Sequence, residues 1–589
     1  MPDAPQEQST ETADIQADTL PATEEASGNK IPTPSKPDRR TLLKRLTTVS
    51  AVTAFVAPSS SAKPDTHKEA LSSPQTDSAL GQRPDLPPLA TIAFNRMAFG
   101  PRPDGIERFH RLGNSDDNRL TAYVEEQLHP DDIDEHVCDE KLAEEEFRTL
   151  NLPLRRVWRT YINGQGMMGQ EVDRRDPAHE VERMTFLRAV YSECQLVEVL
   201  TDHWHNHFNV YGWDNWTAPF FAFHDQQVIR PHVLGNFRLM LEAVTQSPAM
   251  LYYLDNQSNE GGDPNENFAR ELFEIHTLGA SNYLGVRGLD DPTIIGADGE
   301  RLGYIDEDIY GATLCFTGWH VKEGTGEFFF DEGKHFPFQK VVMGQSLSSF
   351  RGIDDGHAVL DLLASHPGTA YHVSYKLCQR LISDHPPANI VEAATKVFQQ
   401  AAREPDQLKQ VVRTILLSDE FRTTWGQKVK RPFEYAVSLL RATGADFVPS
   451  DQYLWMYNAG GQELFGWHPP NGYPDVQGAW LGTMSMLHRW RLANQLLDWQ
   501  YNEDHPRAGQ HRLALRHPRT DMASTPEQIV DWWSNRLLGY ILPPNERNQV
   551  VEFMAAGRNP TFDLPREDIN KRLRHMVGLI FMSPSFLWR

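Results

Sequence analysis

Four short segments concentrate the side chains able to do chemistry. The first is Asp202-His203-Trp204-His205-Asn206-His207. His203 and His207 are four residues apart, so on a helix they share a face about one turn apart. Neutral imidazoles at that spacing can bind one metal ion, as in two-histidine helical zinc sites. Trp204 stands where the His-Glu-x-x-His motif carries its glutamate, so this is not the common metalloprotease helix. His205 points to another side. The plainer reading is a polar helix end whose imidazoles complement the dipole. The second segment runs from Asn265 to Gly279. On a helix, Asn267, Glu271 and Glu274 fall on one flank and Phe268, Leu272 and Ile275 form an apolar stripe, with Gly279 placed as the stop. Glu266 and Arg270 read as an exposed ion pair. A carboxylate of this helix facing His203 and His207 would complete a hard metal site, or orient the imidazoles from behind.

The third segment joins Thr317-Gly318-Trp319-His320 to His335-Phe336-Pro337-Phe338-Gln339-Lys340, where a hairpin presenting His335 and Lys340 would close over the helical site. A surface loop is the alternative. The fourth, Phe465 to Asp475, carries Trp467, Tyr473 and Asp475 on a backbone stiffened by Pro469, Pro470, Pro474, Gly466 and Gly472. Rigid aromatics suit sugar or peptide contact, and equally the capping of a helical core. The candidate metal ligands are therefore His203, His205, His207, Glu271 and His276, holding one divalent ion that activates water. The candidate acid–base groups are Glu271, Glu274 and His335.

The elements that must position these groups are mostly helical. Residues 89–97 show helical spacing up to the breaker Gly100-Pro101-Arg102-Pro103. From Val181 to Trp204 the apolar residues Met184, Leu187, Tyr191, Cys194, Val197 and Leu200 recur at three- and four-residue steps, predicting one long helix. Further helices are expected at 224–247, 264–278, 305–316, 355–364, 369–383, 389–402, 405–418, 430–443, 483–498, 526–538 and 567–582. Residues 285–303 form a Gly/Asp-rich insertion, and alternation around Glu327-Phe328-Phe329-Phe330 within 316–344 predicts a small β-hairpin. The fold class is mainly α, a multi-helical bundle-like core with that hairpin inserted.

The N-terminal region is an address. Arg39-Arg40 in Asp38-Arg39-Arg40-Thr41-Leu42-Leu43-Lys44 precede an apolar run from Leu46 to Ala57 and the small residues Ser60-Ser61-Ala62. That order is a twin-arginine export signal, behind an unusually long polar leader. Residues 1–62 are read as leader and signal, 63–88 as a linker, and 89–589 as the working domain. The apolar run is shorter than the ~20 residues that span a bilayer, and no transmembrane helix is expected in the mature chain. The localisation expected is periplasmic or secreted. A net charge of −23 argues against nucleic acid or anionic lipid as the main partner. Cys138, Cys194, Cys315 and Cys378 are far apart, and no Cys-x-x-Cys, Gly-x-Gly-x-x-Gly or haem motif supports a redox role.

Together these segments resemble the bacterial domain-of-unknown-function family 1800. The resemblance rests on Phe94 to Arg102, Trp204 to Val210, Asn265 to Gly279, Phe316 to Trp319, His366-Pro367 with Lys376-Leu377, Arg431 to Glu434, Gly461-Gln462 with Phe465 to Trp467, and Met582 to Phe586. It covers roughly residues 89–589. The resemblance implies an exported, mostly helical protein, often encoded beside a sulfatase-like exported protein. It also shifts weight to His205 and His207, because Trp-His-Asn-His is the family string, whereas helix geometry favours His203. The family's hairpin usually reads His-Asp-x-Gly-x-Lys, and here the acid is missing between His335 and Lys340. The loop after Trp467 departs too, with His468-Pro469-Pro470-Asn471-Gly472 in place of Pro-Thr-Pro-Asp-Gly. Two functions are compatible with all of this. One is a metal-assisted hydrolase acting on an envelope or extracellular polymer. The other is a non-catalytic binding or assembly protein whose His/Glu cluster is a structural polar network.

Overall fold

A computed structural model describes residues 84–164, 172–296, 301–498, 511–512 and 523–589. The twin-arginine segment and most of the linker lie outside them. The described residues belong to one compact unit that is mainly helical, with three two-stranded antiparallel pairs. None of its helices is long and apolar enough to cross a membrane. One continuous apolar core runs from Ala90 to Trp588.

Several elements follow their sequence pattern closely. Helices Asp354–Ser365, Pro367–Leu381, Ala388–Gln400 and Gln407–Leu416 pack in series, each turning an apolar stripe inward. The first described helix, Leu89–Arg96, is buried along nearly its whole length. Its Arg96 donates to the Phe421 carbonyl at 2.8 Å and the Thr424 carbonyl at 2.5 Å. Burial lowers that guanidinium to about 9. Close by, the Ser438 hydroxyl lies 2.7 Å from where a Cβ on Gly100 would sit, so the start of the family-like segment is locked by contact rather than by propensity. At the other end of the chain, Lys430 N donates to the Leu587 carbonyl at 2.9 Å and Arg589 N to the Lys428 carbonyl at 3.0 Å.

Three departures matter for the site. The long helix expected from Val181 to Trp204 is two, Asp176–Tyr191 and Gln195–His207. The Glu135 carboxylate accepts the Glu193 and Cys194 amides at 2.5 and 3.0 Å, which satisfies the new helix start and turns the chain. Residues 224–247 likewise break into a π-turn at His224–Ile229, a 3₁₀ turn at Arg230–His232 and the helix Phe237–Thr245. Residues 267–276 begin as α-helix, Asn267–Glu271, and widen into a π-turn, Leu272–His276. The wider turn aligns residues five apart, so Glu271 and His276 are both buried while Glu274 is only half-buried. Gly279, at φ +87°, ends this element as its type predicts.

The predicted hairpin is present as Trp319–Val321 against Phe328–Phe330, and a second pairs Lys340–Val342 with Gln345–Leu347. A third pair joins Asp446–Phe447 to His511–Arg512. All four cysteines are buried free thiols.

Candidate functional site

Most of the candidate site residues surround the Gln195–His207 helix, whose side chains enter three separate polar environments. The first is a buried histidine seam. His203 and His207 stack with ring centres 6.3 Å apart, and His207 lies 6.3 Å from the His276 ring and 6.2 Å from the His372 ring. His207 Nε2 donates to the His276 carbonyl at 3.0 Å, and His372 Nε2 to the Ile275 carbonyl at 3.2 Å. A Cβ on Gly279 would meet His372 Nδ1 at 2.8 Å, so the glycine lets this imidazole approach. His372, Lys376 and Arg380 repeat every fourth residue on Pro367–Leu381 and so share one face of it.

The seam is buried, and its imidazoles are hard to charge. Burial, reinforced by the Lys376 ammonium, pushes His203 and His207 well below the ordinary imidazole range. Burial and then Lys376 take His276 to about 3 and His372 to about 4. Burial lowers Lys376 itself to about 8, against the opposing pull of Asp475. His203 Nε2, His207 Nδ1 and both His276 ring nitrogens are buried without a hydrogen-bond partner among the described residues. The imidazoles are therefore held neutral at pH 7.

The seam as it stands is not arranged around a metal ion. Around one tetrahedral ion, imidazole ring centres lie ~5 Å apart. The separations around His207 exceed that. Among the described residues, no group of three or more His, Cys, Asp or Glu side chains is arranged to hold a metal ion. The five candidate ligands also divide. His203, His207 and His276 meet, whereas His205 leaves for a different partner. Glu274 and Glu271 lie near Tyr304 instead, whose buried hydroxyl is pushed up by desolvation first and by Glu274 next, with Arg270 opposing and Glu271 the smallest contribution.

The second environment belongs to His205. Its Nε2 meets Asp225 Oδ1 at 2.8 Å. Arg230 Nε binds Asp225 Oδ2 at 2.9 Å, and its two terminal nitrogens grip Glu198 at 2.8 and 3.0 Å. Burial alone would raise the Asp225 carboxyl, but Arg230 and His205 outweigh it and hold it far below the usual carboxylate range. An ionised Asp225 fixes the His205 proton on Nε2 and leaves the Nδ1 lone pair as the acceptor. His205, Asp202, Asn206, Arg230, Arg431 and Tyr473 line a cavity of about 40 Å³. That volume admits roughly three water molecules.

The third environment ties the site together. Asp202 Oδ2 accepts from Arg380 Nη2 at 2.9 Å and from Arg431 Nη2. Glu434 accepts from Arg380, from Arg589 and from the Arg431 amide, the last at 2.8 Å. Lys428 spans Asp475 at 2.9 Å and Asp384 at 3.2 Å. The guanidinium partners overcome the cost of burial and keep Glu434 ionised at neutral pH. Such a network is weak evidence for net stability, although removing one partner from it is costly.

The backbone of the Pro-rich loop is held by Asn206 of the histidine helix and by Asn209 just after it. Asn206 Nδ2 donates to the Tyr473 carbonyl at 2.8 Å, and its Oδ1 accepts the Tyr473 amide at 2.7 Å. Asn209 Nδ2 donates to the Trp467 and Pro469 carbonyls, each at 2.9 Å. Gly472, at φ +71°, passes so close that a Cβ would lie 2.1 Å from the Asn206 carbonyl oxygen. Gly472→Ala is therefore expected to destabilise the chain by about 2–4 kcal/mol through strain and displaced packing, read as a fall in the urea midpoint. An unchanged midpoint would show that the loop is not clamped.

His335 does not serve the histidine seam. Its Nε2 meets Asp355 Oδ2 at 3.2 Å, and the same oxygen meets Lys340 Nζ at 2.5 Å. The acid missing from the hairpin motif is thus supplied by helix Asp354–Ser365. Sequence reasoning did not find Asp225, Arg230, Glu198, His372 or Asp355 as partners. Only the four-residue steps from His372 through Lys376 to Arg380 could have signalled one of these groups.

No curated protein and no solved structure matches the chain. A family model described as protein of unknown function, DUF1800, matches residues 92–588, a span that takes in every site group described above except Arg589. The chain belongs to the DUF1800 family.

Proposed function

We propose that this chain is exported by the twin-arginine route and works in the periplasm or outside the cell as a hydrolase whose general base is His205. The reading rests on one observation. His205 is buried against Asp225 at 2.8 Å and is the oriented imidazole lining the cavity beside Asp202, Asn206 and Tyr473. An imidazole anchored by a carboxylate at one nitrogen offers the other to a water molecule, which becomes the nucleophile. Asp225 sets the tautomer and stabilises the imidazolium formed on proton transfer. The Arg230–Glu198 pair keeps Asp225 ionised and in place. Arg431 on the cavity wall supplies positive charge for an oxyanion. The acidic surface fits an envelope or extracellular polymer that is neutral or cationic.

This replaces the metal-assisted version, whose ligands diverge. Glu271, Glu274 and His335 have no part in the step. The test is release of soluble fragments from neutral and from cationic polysaccharides, with chromogenic esters as small probes. His205→Gln is expected to lower turnover by about 10²–10⁴-fold with little change in melting temperature. Full turnover by that variant would end the proposal.

A second reading has its own support. The ion network of Asp202, Arg380, Arg431, Glu434, Asp475 and Lys428 is closed within the chain, and the neighbouring cavity is small. A non-catalytic assembly protein, for which a neighbouring exported sulfatase-like protein would be the partner, has the same features. It predicts co-purification and no turnover in any variant.

A further inference from the structure

From the buried triad of His335, Lys340 and Asp355 we infer that Lys340 and Asp355 condense into an intramolecular amide, covalently stapling the Lys340–Val342 strand to the Asp354–Ser365 helix. Both side chains are fully buried, and Lys340 Nζ lies 2.5 Å from Asp355 Oδ2. Lys340 Nζ also donates to the Phe338 carbonyl at 3.0 Å and lies 5.4 Å from the centre of the Phe336 ring. The Phe330 ring meets His335 edge-on at 5.3 Å. The reacting pair is thus enclosed by aromatic surface, where separated charges are costly and a neutral amide is not.

The hydrogen bonds assign the proton needed for the step. His335 Nδ1 faces two acceptors, the Thr317 carbonyl at 2.8 Å and Thr317 Oγ1 at 3.2 Å. That hydroxyl has committed its own hydrogen to the Leu314 carbonyl at 2.7 Å. Nδ1 therefore carries a proton, and a further proton lies between Nε2 and Asp355 Oδ2, 3.2 Å apart. Oδ2 is the oxygen set up to leave. Asp355 Oδ1 is buried with no hydrogen bond among the described residues, and Arg351 Nε stands 3.4 Å away.

The balance closes without a co-reactant. One proton of the ammonium passes to Oδ2, giving an amine and a carboxylic acid. The Nζ lone pair attacks Cγ. His335 gives the proton held at Nε2 to the departing hydroxyl and then takes a second proton from nitrogen, which restores it. The Cγ–Oδ2 bond breaks, one water leaves, and one hydrogen remains on the amide nitrogen. Arg351 faces the oxyanion that forms on Oδ1.

Mass spectrometry of the purified full-length chain, unfolded and digested with trypsin, decides the matter. The expected product is a branched peptide joining the Lys340 and Asp355 segments, lighter by about 18 Da than the two together, with no cleavage after Lys340. Lys340→Arg is expected to give the separate peptides at full mass. His335→Gln is expected to leave the pair unjoined in a folded chain. Separate full-mass peptides with cleavage after Lys340 in the wild type would overturn the inference, and that result needs no variant to fold. Complete joining in His335→Gln would overturn the role given to the imidazole.

Discussion

Replacing Glu434 with alanine is expected to cost about 3–5 kcal/mol of unfolding free energy, because it removes the carboxylate paired with the buried Arg589 guanidinium and one of the two that hold Arg380. Glu434 touches Arg380, Arg589 and the Arg431 amide, and all of these residues are buried. The loss spreads, since Arg380 and Arg431 also hold Asp202 on the histidine helix. Arg380→Ala should be nearly as costly, and the double variant should lose far less than the two single losses added together, because the partners share one network. Urea unfolding measures all three. A Glu434→Ala loss below about 1 kcal/mol would place the network among groups that contribute orientation without stability.

The second large effect is acid lability. His276, His372 and His224 have their charged forms disfavoured by burial, with values near 3, 4 and 3, and His203 and His207 are depressed in the same way. In the unfolded chain each returns to about 6.5. The folded state therefore binds fewer protons than the unfolded state between these limits. Stability is full above about pH 6.5 and falls as the pH drops toward 4, by up to ~1.4 kcal/mol per histidine per pH unit. Five such groups make the expected loss roughly 3–6 kcal/mol between pH 6 and pH 5. Thermal melts across pH 5–7.5 should show a steep drop, reduced in His203→Gln and His276→Gln. Equal melting temperatures at pH 7.5 and 5.0 would show that the imidazoles are not held neutral.

How much of this was legible in the sequence depends on the range of the interaction that decides each feature. Periodicity alone gave helix Asp354–Ser365 and its three successors to within a few residues, because each buries a stripe against its neighbour. The hairpin at Phe328–Phe330 was legible from alternation. The break before Gln195 was not, since it depends on Glu135, some sixty residues earlier, accepting the amides at the turn. Nor was the π-turn at Leu272–His276, which changes the register after Glu271 and so moves Glu274 away from its expected flank. Helix Pro544–Ala555 went unread because its apolar stripe is interrupted by polar residues.

The candidate site was legible as composition and not as pairing. His203, His207 and His276 do come together, as their helices suggested. His205 separates from them because the residue between two i, i+4 partners faces another way. Its partner Asp225 lies on a π-turn that no spacing rule reaches. The Pro-rich loop looked like a contact surface, yet Asn206 and Asn209 bond its backbone, and the prolines serve to fix that docking. The acid missing from the hairpin motif came from Asp355, fifteen residues beyond Lys340.

The most direct test of the central claim is the turnover of Asp225→Asn beside Lys376→Met, both checked for folding by circular dichroism. The asparagine keeps the shape but not the charge that orients His205. The account predicts that it loses about 10²–10⁴-fold in kcat with little change in KM, while Lys376→Met, in the histidine seam, keeps most of its activity. A folded Asp225→Asn chain with full turnover, or activity that follows Lys376 instead, would contradict it.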